Sequence, residues 1–227
     1  MSRTILRRAL AAVSAVAAVA ATLAVTTAAP ASAAGTCSVN PPSRWTISSP
    51  FKTVNISVAS DCAPGTHSAW DAITSKGPVD TLVFDGTRTE PFDMYDDDPL
   101  GRWTWRPAGC FSADFSQQCA QNTRTMDVRL GGWSGLTATR SGSRVTVTTS
   151  AARYAYSVDK FVPWTNVRGT VQYKAPTAST WTGLKYVYPA SNGRYTFTYS
   201  TTSTRDYRVV FPDTSVVWGH TSATVRR

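Results

Sequence analysis

Residues 184–211 read LKYVYPASNGRYTFTYSTTSTRDYRVVF. Large apolar residues fall on alternate positions: Leu184, Tyr186 and Tyr188, then Tyr195, Phe197 and Tyr199, then Tyr207, Val209 and Phe211. A period of two sends one set of side chains to one face of a strand and the intervening set to the other, so these runs predict three half-buried β-strands. Ser191-Asn192-Gly193 lies between the first two runs, and Asn-Gly favours a tight hairpin turn because both residues tolerate positive φ. The same alternation recurs upstream at Val54, Ile56 and Val58, at Trp103 and Trp105, at Met126, Val128 and Leu130, at Val145 and Val147, and at Val171 and Tyr173. Few segments carry helical periodicity. The fold class is therefore all-β, with short antiparallel strands at sandwich spacing.

The chain has 227 residues, of which 42% are hydrophobic, including 8 Trp, 9 Tyr and 8 Phe. That apolar mass fills a core and excludes wholesale disorder, and the length accommodates one large or two ordinary domains. Charge divides the chain. Residues 35–139 hold 8 basic and 11 acidic side chains, a balance of −3, whereas residues 140–227 hold 12 basic and 3 acidic, a balance of +9. Two tandem antiparallel β-sandwich modules are expected, 35–139 and 140–227, with the polar Arg140-Ser141-Gly142-Ser143 as the joint.

Residues 1–34 have the layout of an export signal. Arg3, Arg7 and Arg8 form a basic start, Ala9 to Val25 an apolar run, and Ala31-Ser32-Ala33 the small residues a signal peptidase reads. Cleavage after Ala33 or Ala34 is expected, which makes the protein secreted and extracellular, with no membrane segment after cleavage. All four cysteines, Cys37, Cys62, Cys110 and Cys119, lie beyond that point, and an even count in an oxidising compartment predicts disulfides. Of the three possible pairings the simplest joins Cys37 to Cys62 and Cys110 to Cys119. Neither C-x-x-C nor a Cys/His cluster occurs, which argues against a zinc site.

The run Gly169-Thr-Val-Gln-Tyr-Lys, Ser179-Thr-Trp-Thr, Asn192-Gly-Arg-Tyr-Thr-Phe-Thr-Tyr and Asp206-Tyr-Arg-Val-Val-Phe resembles the immunoglobulin-like modules of secreted actinobacterial proteins. The resemblance covers under half of the chain and implies an immunoglobulin-like sandwich for 140–227. It implies no activity, because such modules serve as spacers, adhesive units and ligand carriers alike. Residues 35–139 resemble no family of known function.

The densest polar feature is Glu90-Pro-Phe-Asp93-Met-Tyr-Asp96-Asp97-Asp98-Pro99-Leu-Gly101. Crowded carboxylates repel one another and a hard cation relieves that repulsion, so Asp93, Asp96, Asp97 and Asp98 form a candidate calcium site. The spacing is not that of a helix-loop-helix site, since Leu100 and Pro107 stand where ligands belong. The bland alternative is a solvated turn whose aspartates cap backbone groups. The same carboxylates underlie a second function class, an extracellular hydrolase, which requires a second acid facing them across a cleft. Only two histidines, His67 and His220, are present, and G-x-S-x-G is absent. His67, beside Pro64-Gly65, reads as an exposed loop residue.

In the basic half, Arg153, Lys160, Arg168, Lys174, Lys185, Arg194, Arg205 and Arg208 are interleaved with aromatics. Strand alternation alone produces that interleaving, and it gives no ground for specific nucleic-acid recognition. For an exported chain the polyanions in reach are cell-wall polymers and acidic polysaccharides, drawn by long-range field. Trp133, Trp164, Trp181 and Trp218 are the candidates for sugar stacking. These observations point to a non-enzymatic binding or structural protein at the cell surface or in the medium, with no catalytic residue and no cofactor assigned. A third class, an inhibitor of secreted proteases, needs an exposed, braced loop, and the span from Cys110 to Cys119 is the place to look for it.

Overall fold

The computed structural model describes residues 35–227, so the export signal expected over 1–34 lies outside the described residues. The first sandwich contains β1 (Thr36–Cys37), β2 (Val39–Asn40), β3 (Arg44–Ile47), β4 (Phe51–Val58), β5 (His67–Thr74), β6 (Gly77–Asp85), β7 (Thr89–Tyr95), β8 (Gly101–Phe111) and β9 (Ala120–Gln121). It is completed by the first half of β10 (Arg124–Ser141). The second contains the rest of β10 and β11 (Arg144–Ala155), β12 (Lys160–Pro163), β13 (Gly169–Lys174), β14 (Thr182–Val187), β15 (Arg194–Ser200) and β16 (Asp206–Phe211). The short strands β17 (Val217–Trp218), β18 (His220–Thr221) and β19 (Val225–Arg226) end the chain.

Both sandwiches follow the same path. In the first, β2-β4-β7 faces β6-β5-β8-β10, with β3 running parallel to β10. In the second, β10-β11-β15 faces β14-β13-β16 with β18 and β19 beyond it. Each is the immunoglobulin-like order, in which the first, second and fifth strands form one sheet and the third, sixth and seventh the other. The resemblance read in residues 140–227 thus extends to the architecture of 35–139. The earlier half also carries a fully buried tryptophan, Trp70, on its third strand, where immunoglobulin domains bury one.

β10 belongs to both sandwiches. Arg124–Val128 pairs with β8, and Gly132–Ser141 pairs with β11. The joint expected at Arg140–Ser143 is instead a two-residue hairpin turn, Ser141 pairing with Arg144 across Gly142-Ser143. Gly142 takes a positive φ of 57°, which a two-residue hairpin requires and glycine supplies without strain. The expected boundary between Thr139 and Arg140 falls inside one uninterrupted strand, because polar small residues mark a tight turn as readily as a linker.

The alternating apolar sets bury as expected at Ile56 and Val58, Trp103 and Trp105, Met126 and Val128, Val145 and Val147, and Tyr207, Val209 and Phe211. β14 departs from its pattern. Val171 pairs with Lys185 and Gln172 with Gly183, so Leu184 is an extra residue in a β-bulge. Val187 is buried while Tyr186 and Tyr188 face solvent, since a one-residue slip exchanges the two faces. The Asn192-Gly193 turn forms, with Gly193 N–H donating to the Ala190 carbonyl over 2.8 Å, but it carries the chain from one sheet to the other. Its flanking strands pair with β13 and β11, not with each other.

The sandwiches meet in a built junction. Trp218 is buried with its ring between the guanidinium groups of Arg44 and Arg129, 3.7 and 4.0 Å from the ring centroid. Its indole N–H donates to the Trp45 carbonyl over 2.7 Å. Arg129 Nη1 donates to the Thr214 carbonyl over 2.6 Å, and Arg44 pairs with Asp213 at 3.3 Å. Tyr154 Oη also donates across the junction to Asp96 Oδ2 over 2.9 Å. These contacts tie the two sandwiches together.

Candidate functional site

The disulfides join Cys37 to Cys62 and Cys110 to Cys119, the simplest of the three pairings. Both lie at the loops of the first sandwich rather than between its sheets.

Asp96, Asp97 and Asp98 line one shallow pocket, and Asp93 stands apart from it. Asp93, on β7, accepts the Thr53 hydroxyl over 2.8 Å on an exposed sheet face. Asp96 accepts from Tyr154 at the junction, and Asp98 Oδ2 accepts the Tyr95 N–H over 2.8 Å. Burial, reinforced by the neighbouring carboxylates, raises the Asp98 carboxyl above its ordinary range. Among the described residues no group of three or more His, Cys, Asp or Glu side chains is placed to hold a metal ion. Asp93 and Asp98 accept from nearby hydroxyl and backbone donors, and Asp96 accepts from the second sandwich. A shallow pocket of about 270 Å³ beside them is lined by Asp96–Asp98, Lys76 and Tyr156, and no acid from another element lines it, as the hydrolase reading requires.

The histidines hold separate halves of a catalytic arrangement. His67 is the first residue of β5 rather than a loop residue, and its Nδ1 lies 2.6 Å from Asp85 Oδ1. His220 Nδ1 accepts the backbone N–H of Ser134 over 3.2 Å and lies 2.9 Å from its Oγ. The serine stands with one histidine and the carboxylate with the other, whereas a triad needs all three in series. Ser134 is moreover buried, and the pair ties β10 to β18.

The arrangement that does converge lies on the outer face of β14-β13-β16. Trp181, just before β14, is half-buried with Arg208 of β16 over its ring at 4.3 Å and Lys174 of β13 at 5.6 Å. Arg208 is steered by Gln172, whose Oε1 accepts its Nε–H over 2.7 Å. Tyr186 is 59% exposed, with Arg168 5.2 Å from its ring. The one acid among them, Asp206, is bonded to Arg226 at 2.7 and 3.2 Å and lies 3.7 Å from Lys174. Hydrogen bonding from Arg226 holds its carboxyl below the ordinary range, so its charge is matched and the face stays cationic. Of the tryptophans singled out from the sequence, Trp164 and Trp218 are buried, Trp133 is 48% exposed in mid-β10, and Trp181 belongs to this face. The sequence shows these cations and aromatics, but their pairing depends on cross-strand register, which it does not.

No family model matches the chain, and no curated protein matches it. Among solved structures it is similar to Salmonella alpha-2-macroglobulin reacted with methylamine, at 12% identity and a TM-score of 0.40 over 88% of this chain and 15% of that one. It is similar to bovine butyrophilin at 9% identity and a TM-score of 0.35, over 88% and 98% of the two chains. The D0–D1 domain of intimin matches at 12% identity and a TM-score of 0.28, over 84% and 96%. The chain spans only a small part of the first of these. Likeness at this level assigns neither a family nor a function.

Proposed function

We propose that the protein is a secreted, non-enzymatic binding protein that holds an anionic polymer of the cell surface, a cell-wall polymer or acidic polysaccharide, on the outer face of β14-β13-β16. The observation that carries the reading is the placement of the partly exposed Lys174 and Arg208 around the half-buried Trp181 on one outer face, in a half of the chain whose charge balance is +9. Planar guanidinium groups present fixed donors to carboxylate or phosphate oxygens, and the indole supplies apolar surface for a sugar ring. The rest of the chain serves as the scaffold that holds this face rigidly.

Co-sedimentation of the protein with purified cell walls, before and after removal of their anionic polymers, tests the reading. Binding falls on polymer removal and weakens as salt is raised, because exposed charges are screened. K174A/R208A loses about tenfold in affinity, the scale set by two partly exposed charge contacts. Binding indifferent to salt, to polymer removal and to K174A/R208A refutes it.

A further inference from the structure

At the pole of the first sandwich away from the second, three connections come together: residues 59–66 before β5, the end of β6, and residues 112–119 after β8. In an immunoglobulin-like domain these are the loops that one end presents to partners. Here they are braced. The two disulfides anchor the first and third, and a Cβ at Gly65 would lie 2.9 Å from that of Ala113, so the loops approach as closely as glycine permits. Asp114 Oδ1 accepts from Ser112 Oγ at 2.6 Å and from Ser116 N and Oγ at 3.1 and 2.8 Å. At the tip Phe115 is 61% exposed with a φ of 58°, a conformation bulky residues seldom adopt. One side of its ring stacks on His67 at 4.1 Å, and His67 is fixed in turn by Asp85.

A rigid, half-exposed aromatic ring is the form of an interface anchor, since it adds apolar contact with little ordering cost. The charges around it are mostly negative. Asp61, Asp85 and Asp114 lie on the three connections, and the nearby Arg88 is directed at the backbone carbonyls of Ala59 and Cys62. A complementary surface exists on the same chain, the cationic face around Trp181. We propose that the apex of one copy docks on the Lys174–Trp181–Arg208 face of a second copy, with Phe115 laid against exposed aromatic surface and Asp85 and Asp114 facing the cations. The two patches lie on different sandwiches, so the contact is head-to-tail, and each added copy leaves one apex and one face free. The proposal shares its cationic face with the proposed polymer site but rests independently on the build of the apex.

Sedimentation velocity of the protein from micromolar to millimolar concentration, at low and at high salt, tests this. The sedimentation coefficient rises with concentration at low salt and the rise is suppressed at high salt. F115A/D85N and K174A/R208A each weaken association by about tenfold or more, the mark of an anchor residue. Mixed in equal amounts they form a dimer that grows no further, because each supplies the half the other lacks. Circular dichroism confirms that both variants fold. A wild-type protein that stays monomeric throughout, an F115A/D85N variant that associates like wild type, or a mixture that does not dimerise overturns the proposal. F115A/D85N retains polymer binding, so failure here is distinguishable from failure of the proposed function.

Discussion

Replacing Trp218 probes the junction most sharply. Its side chain is 6% exposed, and truncating a buried tryptophan to alanine costs about 3–5 kcal/mol. Arg44 and Arg129 lose the ring they flank, about 0.5–1 kcal/mol each for contacts of this kind. The Trp45 carbonyl loses its indole donor, a further cost of about 1 kcal/mol. These losses share one side chain and do not add in full, so W218A is expected near the upper end of the truncation range, about 4–5 kcal/mol. W218F keeps a ring between the guanidinium groups and loses chiefly the N–H, so about 1–2 kcal/mol is expected. Trp133, on the neighbouring stretch of β10 but 48% exposed, is the control, and W133A should cost about 1 kcal/mol because much of its surface already meets water. Urea unfolding followed by far-UV circular dichroism measures all three. A W218A loss under about 1.5 kcal/mol, or one equal to that of W133A, would refute a junction built around this indole.

The disulfides close loops of different length, with separations of 25 and 9 residues, and chain entropy gives about 3.5 and about 2.6 kcal/mol respectively. C37A/C62A should therefore destabilise more than C110A/C119A in urea, and the reverse order would contradict the entropic account. A Cβ at Gly169 would overlap the Phe211 ring; G169A is expected to cost about 1–3 kcal/mol through overpacking, read as a lower urea midpoint at unchanged slope. Hydrogen bonds from Ser112 and Ser116 hold the Asp114 carboxyl down at about 2. Because the folded value lies below the unfolded one, the stabilisation is present above the ordinary carboxyl range and is lost as pH falls from about 4 to about 2. Carboxyl NMR should show Asp114 titrating near 2 and moving upward in S112A; a wild-type titration in the ordinary range would disprove the hydrogen-bonded loop.

Much of the second sandwich was legible because its strands keep a clean period of two, as Tyr207, Val209 and Phe211 do. The first sandwich hid its kinship: its disulfides staple loops instead of joining sheets, and Trp70 sits in an alternation, His67 to Thr74, whose other inward residues are small. The bulge at Leu184 was invisible because an extra residue in one strand leaves the local alternation intact while changing which face meets the core. Arg140–Ser143 forms a hairpin turn, whose small polar composition a linker shares. For the sites, Asp93 to Asp98 are adjacent in sequence, yet strand and turn send them to Thr53, Tyr154 and the Tyr95 amide. The pairing of Arg208 with Trp181 joins residues far apart in the chain, and only the register of β13 with β14 and β16 brings them together. Phe115 was marked only by the short Cys110–Cys119 span; its exposure and positive φ are properties of the folded loop.

The central claim is that β10 runs unbroken from one sandwich into the other, fixing them as a single scaffold. Amide hydrogen exchange along residues 128–144 tests it directly. Leu130 N–H donates to Val216, Ser134 N–H donates to His220, and the ladder to β11 continues to Ser141. Protection of Leu130, Ser134 and the alternate amides that face β11 should therefore lie within about tenfold of the slowest core amides, falling off only at Gly142-Ser143. Exchange of those hydrogen-bonded amides at unstructured rates between Gly131 and Thr139 would show two independent modules on a flexible joint and contradict the account.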